Sequence, residues 1–200
     1  MDFPYQEALT EAQLVVQFFE YLSQRGLRYA VQGNYNKIPS NIDGDVDIVV
    51  DSVFFNTIPG LLLDFCLEKH VYLTQIMRHE VTAIYASIAW HDTDGKLTSL
   101  NLDICSDYMY SGTTYLSSAE LLRGRILYDT SNVRFYICGH QINYEYYLLK
   151  KILKGDQQKS GQDFLEFLID KHSPEELLIS STNMFGVEEF FSSTEEISWA

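Results

Sequence analysis

The stretch Asp45-Val46-Asp47-Ile48-Val49-Val50 constrains this chain more than any other. Acid and apolar residues alternate there as a strand requires, because successive side chains of a strand point to opposite faces. Asp45 and Asp47 therefore share one face, about 6.5–7 Å apart along the chain, while Val46, Ile48 and Val50 supply backing apolar contacts. Asp is disfavoured in strands and neighbouring carboxylates repel, so the arrangement costs stability unless a cation or solvent compensates. A third acid, Asp103, has similar surroundings between Leu102 and Ile104. Three convergent carboxylates suit Mg²⁺, which prefers hard oxygen ligands and fills its other positions with water and substrate phosphates. Two such ions about 3.5–4 Å apart activate a hydroxyl and stabilise the leaving oxygen of an in-line displacement at phosphorus. The plainer account is a set of solvated strand-edge acids. A calcium loop starting at Asp43 is excluded: Ile48 stands where that loop needs Gly, and Phe54 where it needs Glu.

Around this strand the pattern reads as α/β (α+β), a mixed sheet flanked by helices. Glu7 to Arg25 places Leu14, Val15, Phe18, Phe19 and Leu22 at helical spacing and stops at Gly26. A short apolar run, Leu27 to Val31, precedes the turn-rich GNYNKIPSNIDG, where ligand is expected, and then the strand Val46 to Val50. A helix is expected from Phe54 to Lys69. Strands follow at Tyr72 to Met77, Val81 to Trp90 and Leu97 to Ile104, the last two joined across Asp94-Gly95 as a hairpin. A helix from Ser118 to Arg125 and strands near Ile126 to Tyr128 and Val133 to Ile137 complete a domain spanning 1–140. From Gln141 the pattern turns helical, again over Asp163 to Asp170 and Pro174 to Leu178, which implies a helical subdomain at 141–200.

Two hundred residues at 46% hydrophobic content can bury one sizeable core. No apolar run approaches a membrane span, and the N-terminus lacks a signal-peptide pattern, so a cytoplasmic address is expected. Cys66, Cys105 and Cys138 are read as reduced core residues, with neither disulfide spacing nor a zinc motif. The formal charge of −14 disfavours a long nucleic-acid partner. A small anionic ligand bound through a metal is compatible, since the ion supplies the positive charge.

Gly33 at a turn, Asp45-Val46-Asp47-Ile48 on a strand and Asp103 on a later strand together resemble the polymerase-beta-type nucleotidyltransferase superfamily. GNYNKIPSNIDGDVDIVVD is particularly similar to small bacterial nucleotidyltransferases, and the resemblance covers roughly residues 27 to 107. It implies a mixed-sheet core with two Mg²⁺ ions on the three acids. It further implies transfer of a nucleoside monophosphate from an NTP, with ATP binding expected, to an acceptor. By position Asp45 and Asp47 would bind metal, and Asp103 would help activate the acceptor hydroxyl. Gly33 would let the backbone approach the triphosphate. Asn34 stands where the family has Ser and can still donate to a phosphate oxygen.

Further phosphate-binding candidates are Lys37 in the loop and Lys150, Lys151 and Lys154, of which Lys150 and Lys154 share a helix face; solvation of an exposed face is the plainer role. Arg78 and His79 close a strand near the expected site. Tyr144, Tyr146 and Tyr147 are candidates for a base pocket or for helix core. The expected function is Mg²⁺-dependent nucleotidyl transfer to a small-molecule or protein hydroxyl. The alternatives are a non-catalytic nucleotide- or partner-binding module of the same fold, a two-metal phosphohydrolase, and modification of a macromolecule.

Overall fold

The computed structural model describes residues 9–42, 44–92, 94–130, 133–154 and 166–170. The chain divides into two compact units, Met1–Cys138 and Gly139–Ala200.

The first unit opens with α1 (Glu11–Gln24), which a capping box between Thr10 and Gln13 starts and Gly26, at φ +69°, follows. Its apolar face buries Leu14, Val15, Phe18, Phe19 and Leu22, as the spacing predicts. β1 (Tyr29–Val31) and β2 (Asp45–Val50) enclose the expected loop. The single helix expected from Phe54 to Lys69 is two: α2 (Ser52–Phe55), capped by Asp51, and α3 (Ile58–Lys69), whose first turn carries the proline. That proline has no amide hydrogen to continue a preceding helix but suits a helix start, so the chain breaks and restarts.

β3 (Tyr72–Glu80) runs further than expected, and β4 (Ala83–His91) and β5 (Leu97–Cys105) form the expected antiparallel hairpin. Gly95 turns at φ +75°, but the connection is held by Asp92: Oδ1 accepts from the amides of Asp94 and Lys96, and Oδ2 accepts from Thr98 Oγ1. These bonds keep the Asp92 carboxyl below the usual carboxylate range, led by the one from Lys96.

A hairpin not anticipated, β6 (Tyr108–Tyr110) with β7 (Thr113–Leu116), turns on Ser111 and Gly112, both at positive φ. α4 (Ser118–Leu121) is shorter than expected, ending ahead of Gly124 at φ +65°. β8 (Ile126–Thr130) and β9 (Val133–Ile137) complete the unit.

Seven strands form one sheet in the order β3-β4-β5-β2-β1-β9-β8. β2 runs parallel to β5 and β1 parallel to β9, and the other neighbours are antiparallel. The mixed α+β fold class is thereby established. One face of the central strands is core: Val46, Ile48 and Val50 of β2, Leu100, Leu102 and Ile104 of β5, and Ile84, Ala86 and Ile88 of β4 are all buried. The opposite face carries Asp45, Asp47, Asn101, Asp103, Tyr85 and Ser87, exposed or half-buried.

In the second unit, α5 (His140–Lys154) buries Tyr144, Tyr146, Tyr147, Leu148 and Leu149. A further helical turn occupies 166–169. The rest of the helix expected over Asp163 to Asp170, and all of that at Pro174 to Leu178, lies outside the described residues. No helix among the described residues is long and apolar enough to cross a membrane.

Candidate metal centre

Strand register builds this site. In the parallel pair β2/β5, Asp45 lies opposite Asn101 and Asp47 opposite Asp103. Opposed residues project from the same face one strand spacing apart, about 4.8 Å, so Asp47 and Asp103 are brought together by pairing and Asp45 joins them by alternation. One carboxylate oxygen from each of the three lies within 4.8 Å of the others. Asp45 is exposed, Asp47 and Asp103 half-buried. An all-oxygen, thrice-negative donor set fits a hard divalent cation such as Mg²⁺, Mn²⁺ or Ca²⁺.

Asp103 has a partner of its own: His79 Nε2 donates to its Oδ1 at 3.0 Å. His79 lies on β3, two strands from β5. It reaches across because the β3/β4 pairing slips between Arg78↔Ile84 and Glu80↔Ala83, with two residue steps on β3 against one on β4. Such a bulge leaves the extra residue unpaired and re-aims its side chain. Arg78, grouped with His79 in the sequence, goes elsewhere. Its Nε and Nη2 donate to the Val81 carbonyl, and its guanidinium lies 5.2 Å from the centre of the Phe55 ring.

On the other side of β2, β1 pairs Val31 with Ile48, and one step further the Gln32 amide N–H donates to the Asp47 carbonyl at 2.9 Å. That step puts Gln32 in the same row as Asp47 and Asp103. Sequence reasoning passed over Gln32. Alternation carried past Val31 puts Gln32 on the same face as Ala30, and the β1/β2 register then sets it beside Asp47. A recess here is lined by Gln32, Asn34, Lys37, Asn41, Asp45 and Asp47 among others.

Gly33 takes φ +67°, a conformation open chiefly to glycine, and its carbonyl accepts from the Tyr35 amide as the chain enters a short 3-10 turn at Tyr35–Lys37. Asn34 opens that turn without a side-chain cap, and its Oδ1 is buried with no hydrogen-bond partner among the described residues. Lys37 thus lines the recess as a loop residue.

Cys105 Sγ donates to Gln32 Oε1 at 3.6 Å. Burial, followed by the negative charge of Asp103 and Asp47, pushes this thiol well above its ordinary value and keeps it a donor. Cys66, buried in α3, is pushed up to about 11 by burial, and buried Cys138 is also raised; all three are free.

Lys150 belongs to α5 in the second unit, its Nζ 5.5 Å from the centre of the Tyr146 ring. Lys151 and the backbone of Lys154 lie on the same helix, and the Lys154 side chain lies outside the described residues. Tyr146 and Tyr147 pack edge to face at 5.8 Å, and these two and Tyr144 are at most 8% exposed, the burial expected of helix core.

No protein-family profile matches the sequence, and no curated protein sequence matches it. Two solved structures are similar in fold. One is the antibiotic-resistance factor ANT(2'')-Ia, with TM-score 0.56 at 10% identity over 92% of this chain and 95% of that one. The other is an antigenic nucleotidyltransferase-like protein from Paracoccidioides brasiliensis, with TM-score 0.55 at 16% identity over 94% of each chain. At such identities the likeness is one of fold. The chain has the nucleotidyltransferase fold that its sequence resembles, with the three acids on adjacent parallel strands of the central sheet.

Proposed function

We propose that the protein is a Mg²⁺-dependent nucleotidyltransferase that moves a nucleoside monophosphate from an NTP to the hydroxyl of a small molecule or protein side chain. The observation that carries this reading is the β2/β5 register, which gathers Asp45, Asp47 and Asp103 within 4.8 Å of one another. A cytoplasmic address is part of the same reading.

In this scheme Asp45 and Asp47 hold the metal, and Asp103 completes the donor set. Bound there, the divalent ions would supply Lewis-acid stabilisation of the charge on the transferring phosphoryl group. An oxygen–phosphorus bond forms between the acceptor hydroxyl and the α-phosphorus. The bond from that phosphorus to the β-phosphate oxygen breaks, and pyrophosphate leaves with the electron pair. Asp103 takes the hydroxyl proton. Its hydrogen bond from His79 holds the carboxylate toward the cluster and leaves its other oxygen unclaimed by His79. Gly33 lets the main chain approach the polyphosphate, and Asn34 and Lys37 contact it from the recess wall.

The test is calorimetric titration with Mn²⁺ and Mg²⁺, then with each of four NTPs, on the wild type and on Asp45→Asn/Asp47→Asn, followed by product analysis. Metal-dependent NTP binding that the double variant loses, with pyrophosphate released only when an acceptor is present, is the expected result. Release of free NMP without an adduct would point to hydrolysis. Metal-independent NTP binding without turnover would point to a binding module.

A further inference from the structure

We propose that the side-chain amide of Gln32 is a ligand-binding donor, holding a phosphoryl oxygen of a polyphosphate bound at the carboxylate cluster; this rests on the transfer reading above. Gln32 is 3% exposed, and its Nε2 has no hydrogen-bond partner among the described residues. A native protein seldom leaves a buried donor unpaired unless something else completes it.

The amide is also oriented. Its main-chain N–H is tied to the Asp47 carbonyl at 2.9 Å, and its Oε1 accepts from Cys105 Sγ at 3.6 Å. With the oxygen turned to the thiol, the NH₂ group is what Gln32 has left to offer the recess it shares with Asp45 and Asp47. This orientation decides the class of ligand. A cation would coordinate Oε1, which faces the Cys105 thiol, and would leave the N–H donor without a partner. The missing partner is therefore an acceptor. The cluster's own carboxylates are acceptors, yet none of them takes this donor, and bound metal would claim their oxygens. A polyphosphate seated on that metal brings non-bridging oxygens to the same place. Gly33, next in the chain at φ +67°, allows close approach of the backbone on that side.

The experiment compares wild type, Gln32→Met, which keeps the side-chain length and removes the donor, and Cys105→Ala, which removes the group that orients the amide. Each is titrated with Mn²⁺ alone and then with Mn²⁺ and inorganic tripolyphosphate, which has neither base nor sugar. Gln32→Met should bind Mn²⁺ within about twofold of wild type but tripolyphosphate about tenfold more weakly, and its metal-free melting midpoint should match or exceed wild type because an unpaired donor is gone. Cys105→Ala should weaken tripolyphosphate about threefold at unchanged Mn²⁺ affinity.

Equal tripolyphosphate affinity in Gln32→Met and wild type overturns the inference while leaving the metal site intact. So does a loss seen with an NTP and absent with tripolyphosphate, which would move the contact to sugar or base. If wild type fails to bind Mn²⁺, or Asp45→Asn/Asp47→Asn binds it equally well, the transfer reading falls first and takes this inference with it.

Discussion

The two faces of the central sheet use the same strands to opposite ends. On the α1 side, rings close on rings: Phe19 stacks on Phe135 at 4.7 Å, Phe18 meets Phe65 at 5.1 Å, and the Tyr29 hydroxyl donates to the Phe19 carbonyl at 3.1 Å. Tyr21 departs from this, its hydroxyl having no partner among the described residues. On the other face three carboxylates converge, and the buried NH₂ group of Gln32 has no partner among the described residues. Packing interactions complete the first face within the protein. The second keeps like charges together and a donor unpaired, which is what a surface shaped for something else to bind looks like. Mutations should therefore separate the faces, those on the first changing stability and those on the second changing binding.

The largest expected effect is on the packed face. Phe135→Ala removes a ring that is 1% exposed and stacked on Phe19, and should cost about 3–5 kcal/mol of unfolding free energy in urea denaturation. Mn²⁺ affinity of the protein that remains folded should stay within about twofold. Next is Asp45→Asn/Asp47→Asn, which should lower Mn²⁺ affinity about 100-fold or more, equivalent to roughly 2.7 kcal/mol. Removing two clustered charges should leave the metal-free melting midpoint unchanged or higher. A fall in that midpoint comparable to that of Phe135→Ala would break the comparison, because the acids would then be holding the fold together.

His79→Ala sharpens it. Loss of the hydrogen bond that orients the Asp103 carboxylate should lower Mn²⁺ affinity about tenfold, and His79→Gln, which can still donate to Asp103, should recover part of it. Thermal stability should hardly change, since the His79 side chain is 33% exposed. Unchanged metal affinity in His79→Ala would show that the 3.0 Å bond does not position Asp103.

Local signals were legible in the sequence and non-local ones were not. Alternation from Asp45 to Val50 marked β2, Gly26 the end of α1, and Asp94-Gly95 the β4/β5 hairpin. The β6/β7 hairpin was passed over because its Ser-Gly turn joins strands of only three and four residues, too short for alternation to register. What makes the site is register. Asp47 lies opposite Asp103 only through the parallel pairing of strands far apart in sequence, and nothing local encodes that offset. The apolar neighbours of Asp103 suggested that it joins the pair, and the resemblance to a known family implied the same three acids, but neither supplied the register. His79 needed a bulge to reach Asp103, and Gln32 needed the β1/β2 register to be carried one residue past the end of the strand.

Glu120 supplies the smallest effect and the clearest control, as a carboxylate whose partners come from its own helix start. Its Oε2 accepts from the Ser117 hydroxyl at 2.6 Å and the Ser117 amide at 2.8 Å, and its own amide donates back to Ser117 Oγ. These bonds, the hydroxyl first, hold the Glu120 carboxyl below its ordinary value of 4.5. A depressed folded-state value means that the stabilisation is present above the unfolded value and is lost as pH falls through the folded one. Ser117→Ala should therefore cost about 1 kcal/mol near neutrality, with the gap from wild type narrowing as pH falls below the ordinary value of 4.5 and Glu120 becomes protonated in both proteins. Melting midpoints measured from pH 7 down to pH 3 follow this directly. Neutralising Glu120 should lower stability, whereas neutralising Asp45 and Asp47 should not, and that opposition in sign distinguishes an acid satisfied by its fold from acids kept for a ligand. A pH-independent Ser117→Ala gap would mean that the hydroxyl acts on the helix amides alone, leaving Glu120 outside the contrast.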